Sequence, residues 1–274
     1  MTLKLTILGC GNSAGAPTIG NYWGKCDPNE PRNIRLRPSV CIQSEATTIV
    51  VDTGPDFKQQ VNRAGLKDVD AILYTHGHSD HTHGIDDLRV YRQLNKRVID
   101  IFANHDTISE LKSRFSYLFM ERHSGIYPKV LEDHVIADED FYKPFNIKDI
   151  EIVPYLQDHG TCRSMGYRFG EIAYSTDMVD LGQESLEALK GIKTWVVDAA
   201  AYNISKNMVH ANLGKIYAFN EIIGAEKVYI THMPVSMDYQ TLCAELPEGY
   251  EPAYDGLEIA VQSSVVLSAM HGVC

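Results

Sequence analysis

The chain has 274 residues, 44% of them hydrophobic, and no linker-like stretch, so one compact domain spanning 1–274 with a sizeable core is expected. Its formal net charge is −11. Phosphate neutralisation dominates affinity for long nucleic acid, so no such partner is expected, and with no run of about 18 apolar residues no membrane-spanning helix is expected either.

In chain order, Leu3 to Leu8 alternates like a strand and meets the glycine-rich turn Gly9-Cys10-Gly11-Asn12-Ser13-Ala14-Gly15-Ala16-Pro17. No Gly-Lys-Ser/Thr follows, and Pro17 interrupts the helix a dinucleotide loop would need. A tight turn bordering a functional site is the expectation. The N-terminus lacks the long apolar core and cleavage site of a signal peptide. Six scattered cysteines form no Cys-x-x-Cys pair, so reduced thiols in a cytoplasm are expected. The loop from 20 to 39 carries Cys26 and three close arginines, Arg32, Arg35 and Arg37. They could clamp a phosphate, or lie solvated or paired with acidic surface.

Val40 to Gln43 and Thr47 to Val51 read as a hairpin ending at Asp52-Thr53-Gly54. Phe57 to Ala64 reads as a helix stopped by Gly65. A short buried strand, Asp70 to Tyr74, then delivers Thr75-His76-Gly77-His78-Ser79-Asp80-His81-Thr82-His83-Gly84. A helix follows from Gly84. Residues 105 to 145 are rich in aromatic residues, with helical spacing over Ser109 to Glu121. We expect an insertion there, packed beside the site or at the subunit contact of a homodimer.

The second half places polar residues at strand exits. The strand Ile150 to Tyr155 leads to His159, and a hairpin, Tyr167 to Phe169 with Ile172 to Tyr174, leads to Asp177. A helix over Gln183 to Leu189 precedes the strand Thr194 to Val197, which ends at Asp198. His210 precedes a helix to Ile223 with Gly224 as its stop, and the strand Lys227 to Ile230 delivers Thr231-His232. Leu257 to Val261 reads as a last strand; residues 262–274 carry no functional reading.

Four of the eleven histidines fall between positions 76 and 83, with Asp80 among them. Neutral imidazole and ionised carboxylate are good ligands for a borderline divalent cation. So dense a cluster suggests two ions. His76 and His78 can converge on one centre from an extended loop, while Asp80 and His81 turn toward a second. His76, His159, Asp177 and His232, each at a strand exit, suggest one shared pocket at the edge of the sheets.

The pattern His-x-His-x-Asp-His after a short apolar strand resembles the metallo-β-lactamase superfamily. The resemblance implies an α/β fold, a four-layer αββα sandwich with two mixed sheets. It implies His76, His78 and His159 on a first ion, Asp80, His81 and His232 on a second, and Asp177 bridging them. Zinc and manganese both suit such ligands. It further implies Asp52 as a support of the histidine loop, a hydroxide held between the ions as nucleophile, and His210 as proton donor or phosphate holder. Asp80 and His210 are the expected catalytic residues.

From Gly9-Cys10-Gly11 through Tyr254-Asp255-Gly256 the chain is most similar to the phosphoribosyl cyclic phosphodiesterase (PhnP-like) branch, and more distantly to tRNase Z. The phosphonate-pathway enzyme of that branch carries a cysteine-rich structural zinc site in its first long loop. Here that loop holds only Cys26, so no structural zinc is expected. A small phosphodiester is the expected substrate: a cyclic or linear nucleotide, or a phosphoribosyl ester. A tRNase Z-like endonuclease and a thioester or lactam hydrolase are the alternatives. The acids at Glu110, Glu121, Glu132, Asp133, Asp138, Glu139 and Asp140 argue against an RNA-gripping arm.

Overall fold

The computed structural model describes residues 2–121 and 126–262, so positions 263–274 of the C-terminal tail lie outside the described residues. The first half supplies β1 (Thr2–Gly9), β2 (Ser39–Gln43), β3 (Thr48–Val51), β4 (Ala71–Leu73), β5 (Ile99–Asn104) and β6 (Leu131–Ile136). The second supplies β7 (Phe145–Ile147), β8 (Ile150–Asp158), β9 (Arg163–Phe169), β10 (Ile172–Ser175), β11 (Thr194–Asp198), β12 (Lys227–Thr231), β13 (Tyr250–Pro252) and β14 (Glu258–Gln262).

Among the described residues these strands form two seven-stranded sheets, ordered β14-β1-β2-β3-β4-β5-β6 and β13-β12-β11-β10-β9-β8-β7. Each begins with antiparallel hairpins and switches to parallel pairing, at β3–β4 in one and at β10–β11 in the other. The four-layer α/β sandwich expected from the sequence is what forms.

Side-chain alternation along each strand decides which layer a residue enters. Leu5, Ile7, Val40, Ile42, Ile49, Val51, Ala71 and Leu73 face the second sheet and join its Ile150, Ile152, Tyr167, Phe169 and Trp195 in one core. Leu8, Cys41, Val50 and Ile72 point the other way, into a second core. There they meet Phe57 and Val61 of α1 (Phe57–Arg63), Leu88 and Tyr91 of α3 (Leu88–Asn95), and Ile108 and Leu111 of α4 (His105–Arg114). A short α2 (Ser79–Thr82) lies in the histidine loop. On the far side α5 (Gln183–Leu189), α6 (Leu213–Ile223) and α7 (Tyr239–Glu245) add Leu186, Leu189, Ile216 and Leu242 to the first core. Strands buried on both faces explain why Ala71-Ile72-Leu73 reads as an unbroken apolar run.

The described residues between 105 and 145 include a strand of the first sheet. Their centre is β6, the edge strand of the first sheet, paired in parallel with β5 from Ile99↔Leu131 to Asn104↔Ile136. The helix also starts and stops earlier than the aromatic spacing predicts. The Asn104 side chain accepts from the Thr107 backbone N–H at 2.9 Å, which caps the helix at His105. At Phe115 the backbone leaves the helical region (φ −124°, ψ 35°), and Ser116–Leu118 tightens into a 3-10 turn.

Two bonds between the sheets locate the histidine loop. Tyr167 in β9 donates its hydroxyl to the Tyr74 carbonyl at 2.7 Å, and the Met165 N–H donates to the Thr75 carbonyl at 2.9 Å. The residue that opens the loop is therefore held to the opposite sheet.

Candidate metal centre

Every candidate ligand leaves the end of a strand. His76, His78, Asp80 and His81 follow β4, with Asp80 and His81 in α2. His159 follows β8, Asp177 follows β10, and His232 follows β12. Asp52, Asp177 and His232 all have left-handed backbone, at φ 65°, 50° and 58°. That conformation costs non-glycine residues on the order of 1–3 kcal/mol each and is kept where surrounding structure dictates a side-chain direction.

The sheets bring all seven together. Asp177 Oδ2 lies 2.9 Å from His81 Nε2 and 3.1 Å from His232 Nε2, while its Oδ1 lies 3.5 Å from His159 Nε2. Asp80 Oδ2 lies 3.3 Å from His81 Nε2 and 3.8 Å from His232 Nε2. The rings of His76, His78 and His159 stand 4.4, 5.2 and 5.3 Å apart. Potential ligand atoms of His76, His78 and His159 lie within 4.8 Å of one another, as do those of Asp80, His81 and His232. Asp177 faces both groups.

Among the described residues, the buried Nε2 of His76 has no hydrogen-bond partner, and those of His81 and His232 face only the carboxylates of Asp177 and Asp80, without hydrogen-bond geometry. An unmatched buried polar atom costs about 1–3 kcal/mol. Several of them aimed at common points, with two carboxylates among them, form a donor set that divalent cations satisfy. The residues fit a divalent metal site.

The opposite ring nitrogens are held by the protein. His81 Nδ1 lies 2.7 Å from Asp52 Oδ2, and Asp52 also accepts from the Thr75 backbone N–H and hydroxyl, each at 2.8 Å. His76 Nδ1 lies 3.1 Å from the Thr75 hydroxyl oxygen. His159 Nδ1 donates to the Val209 carbonyl at 2.7 Å. Fixing Nδ1 as donor turns the Nε2 lone pair toward the centre.

Electrostatics divides the histidines. Burial pushes His76 and His159 below the ordinary imidazole range. Burial also opposes charge on His232, but Asp177 and Asp80 outweigh it and push His232 up to about 10. His81 is raised in the same way: burial is outweighed by Asp177, Asp52 and Asp80.

His210 stands beside the cluster, its ring 5.2 Å from that of His159 and 5.0 Å from that of His232. The three arginines do not make one clamp. Arg32 pairs with Glu30 at 2.7 Å and stacks over Tyr239. Arg35 is buried and donates to Asn33 Oδ1 at 2.9 Å and toward the Pro234 carbonyl at 3.4 Å. Only Arg37 joins a cleft that also contains Asp80, with Ser13 of the glycine-rich turn.

Three supports have no role assigned by the sequence. Asp198, at the end of β11, receives His210 Nδ1 at 2.7 Å and the Ala200 N–H at 2.7 Å. Its signal was the same as that of Asp177, a carboxylate at a strand exit. From α4, Arg114 donates to the Gly77 carbonyl and pairs with Glu110 at 2.6 Å. A β-carbon at Gly77 would meet Glu110 Oε2 at 2.1 Å, so glycine permits this approach.

The model of the beta-lactamase superfamily domain matches residues 47–233, a span that contains all seven candidate ligands. The chain belongs to the beta-lactamase superfamily. Within the superfamily, the crystal structure of a diphosphatase from the PhnP family is similar over 95% of this chain and 98% of that one, with 32% identity and a TM-score of 0.83. An octanoyltransferase of Porphyromonas gingivalis (strain W83) is 30% identical over 264 residues, 94% of this chain and 52% of that protein. A ribonuclease Z of Clostridium acetobutylicum is 25% identical over 174 residues, 61% of this chain and 50% of that protein. The chain thus spans about half the length of these two curated relatives.

Proposed function

We propose that the chain is a metal-dependent hydrolase of small phosphodiesters. The observation that carries this reading is the Asp198–His210 pair beside the ligand cluster. Bound to the His/Asp groups, two divalent cations would neutralise charge on phosphoryl oxygens and acidify a water. The leaving oxygen still needs a proton. Asp198 holds the Nδ1 edge of His210, so its Nε2 is the atom that can carry a proton to that oxygen. The similarity to a PhnP-family diphosphatase along nearly the whole chain supports phosphorus chemistry. The net charge of −11 favours a small substrate over RNA.

The test is turnover of bis-p-nitrophenyl phosphate and 2′,3′-cyclic nucleotides by metal-loaded protein, against a β-lactam and a thioester. Phosphodiester turnover alone supports the reading; lactam or thioester turnover alone overturns it. His210→Ala is expected to keep both ions and lose about 10²–10⁴-fold in kcat. His210 also lies within ligand distance of His159 and Asp177. Loss of an ion in that variant would make His210 a ligand instead of a proton donor.

A further inference from the structure

Asp80 lies in the wall of a cleft of about 350 Å³, lined also by Ser13, Ile19, Arg37, Pro55 and His83. That is near the lower end of the range of about 300–1,000 Å³ for small-molecule sites. Of the seven candidate ligands Asp80 alone lines it, so the cleft borders the His/Asp cluster on the Asp80 side. Two features set its chemistry.

The first is Arg37. Its backbone N–H and its Nε lie 2.8 and 3.0 Å from the same oxygen, Oδ2 of Asp56, which fixes one edge of the guanidinium. The terminal nitrogens, Nη1 and Nη2, have no acceptor among the described residues. Two glycines lie beside the side chain. A β-carbon on Gly15 would stand 3.5 Å from Arg37 Nη1, and one on Gly54 would strike the Asp80 carbonyl oxygen at 2.1 Å, with Arg37 Cβ at 3.5 Å. The side chain thus lies next to the glycine-rich turn and Gly54.

The second is His83. It caps α2 with helical backbone, three residues after Asp80, and so presents its side chain on the same face. Its ring meets Phe115 edge-on at 5.9 Å, and its ring nitrogens have no hydrogen-bond partner among the described residues. An arginine edge and an imidazole with uncommitted donors, next to a candidate cation site, suit an anion. Ile19, fully exposed, and Pro55 give the same cleft an apolar rim for an organic substituent.

We infer that Arg37 and His83 form a subsite for a second, non-scissile phosphoryl group. The preferred substrate of the hydrolase proposed above, on which this inference rests, is then a small diphosphate-linked ester. The two phosphorus atoms of such an ester share one bridging oxygen, so a phosphoryl group at the His/Asp cluster places its neighbour beside Asp80. In the reaction a water oxygen bonds to the first phosphorus. The bond from that phosphorus to the bridging oxygen breaks, and its electron pair leaves with the phosphoryl group held by Arg37 and His83; the water gives up one proton to solvent, and His210 Nε2 supplies one to the leaving oxygen. One water and one diphosphate diester give two phosphate monoesters, with no change in oxidation state.

The test compares kcat/KM for diadenosine diphosphate with that for bis-p-nitrophenyl phosphate in the wild type, Arg37→Gln, Arg37→Lys and His83→Gln. In parallel, calorimetry measures binding of methylenediphosphonate and methylphosphonate to the same metal-loaded proteins. Loss of a charge-assisted contact predicts that Arg37→Gln lowers the diphosphate-to-monophosphate ratio about 10- to 100-fold, mainly through KM. Methylenediphosphonate should lose affinity relative to methylphosphonate by a similar factor. Arg37→Lys should recover part of both ratios, and His83→Gln should lower them severalfold. Equal losses for both substrates and both ligands would overturn the subsite while leaving the hydrolase reading in place. An Arg37-dependent binding preference with no hydrolysis would retain the subsite and overturn the hydrolase reading.

Discussion

His210 Nδ1 lies 2.7 Å from Oδ2 of Asp198, a carboxylate with no exposed side-chain surface, while the imidazole itself keeps 19% of its surface open. The same oxygen lies 3.2 Å from the Met178 N–H, and Oδ1 takes the Ala200 N–H. The carboxylate is thus fixed by backbone, and it fixes the ring in turn. Asp198 touches the proposed proton donor and positions it.

Asp198→Asn keeps the shape but offers an amide where His210 needs an acceptor, which allows the wrong tautomer. We expect kcat to fall about 10²–10⁴-fold with KM little changed. Steady-state kinetics over pH, with metal content measured on the same preparations, checks this.

Asp52 holds His81 from behind and also accepts two bonds from Thr75. Asp52→Ala should weaken metal binding about 10–100-fold. It should also destabilise the fold by about 1–3 kcal/mol, because the buried Thr75 N–H loses its acceptor. Chelator competition and thermal melts of loaded and stripped protein read the two effects separately.

Metal loading must displace protons. Unfolded His232 titrates near 6.5 but folded His232 at about 10, and His81 is raised in the same direction. A raised folded value contributes stability that is complete below about 6.5 and is lost as pH rises through about 10. The metal-free protein should therefore become less stable as pH rises from about 7 to about 10, His232 contributing at most about 1.4 kcal/mol for every pH step of one and His81 acting in the same direction. Metal affinity should run the opposite way, rising with pH over that window, with net proton release on loading. Calorimetry in buffers of different ionisation heat measures the release, and melts of chelator-treated protein give the stability trend.

The Arg114–Glu110 pair is about half exposed, so Arg114→Ala should cost less than about 1 kcal/mol of stability. Yet Arg114 holds the Gly77 carbonyl between His76 and His78. We expect about a tenfold loss of affinity at the His76, His78 and His159 group. Ion stoichiometry after graded chelation distinguishes this from a general loss.

Much of the framework is local and was legible. The apolar run at 71–73, the hairpin around Gly170-Glu171 and the helix stop at Gly224 each lie where the sequence places them. The family and the layered fold followed from the histidine loop. Less legible were features made by distant partners. β6 carries Glu132, Asp133 and His134 on a sheet edge, which breaks the apolar alternation a strand reading needs. The role of Asp198 depends on a ring twelve positions away across a loop. The arginines were close in sequence, but the turns around them sent Arg32 to Glu30 and Arg35 into the interior, leaving Arg37 alone in the cleft.

His76, His78, Asp80 and His81 hang from one sheet; His159, Asp177 and His232 hang from the other. Neither half carries a full set, and the Met165–Thr75 and Tyr167–Tyr74 bonds cross the seam close to the point where the sets meet. Cations seated there would act as rivets through the joint. A severed or circularly rearranged chain could regain its chemistry only where the two halves clasp again in their original alignment.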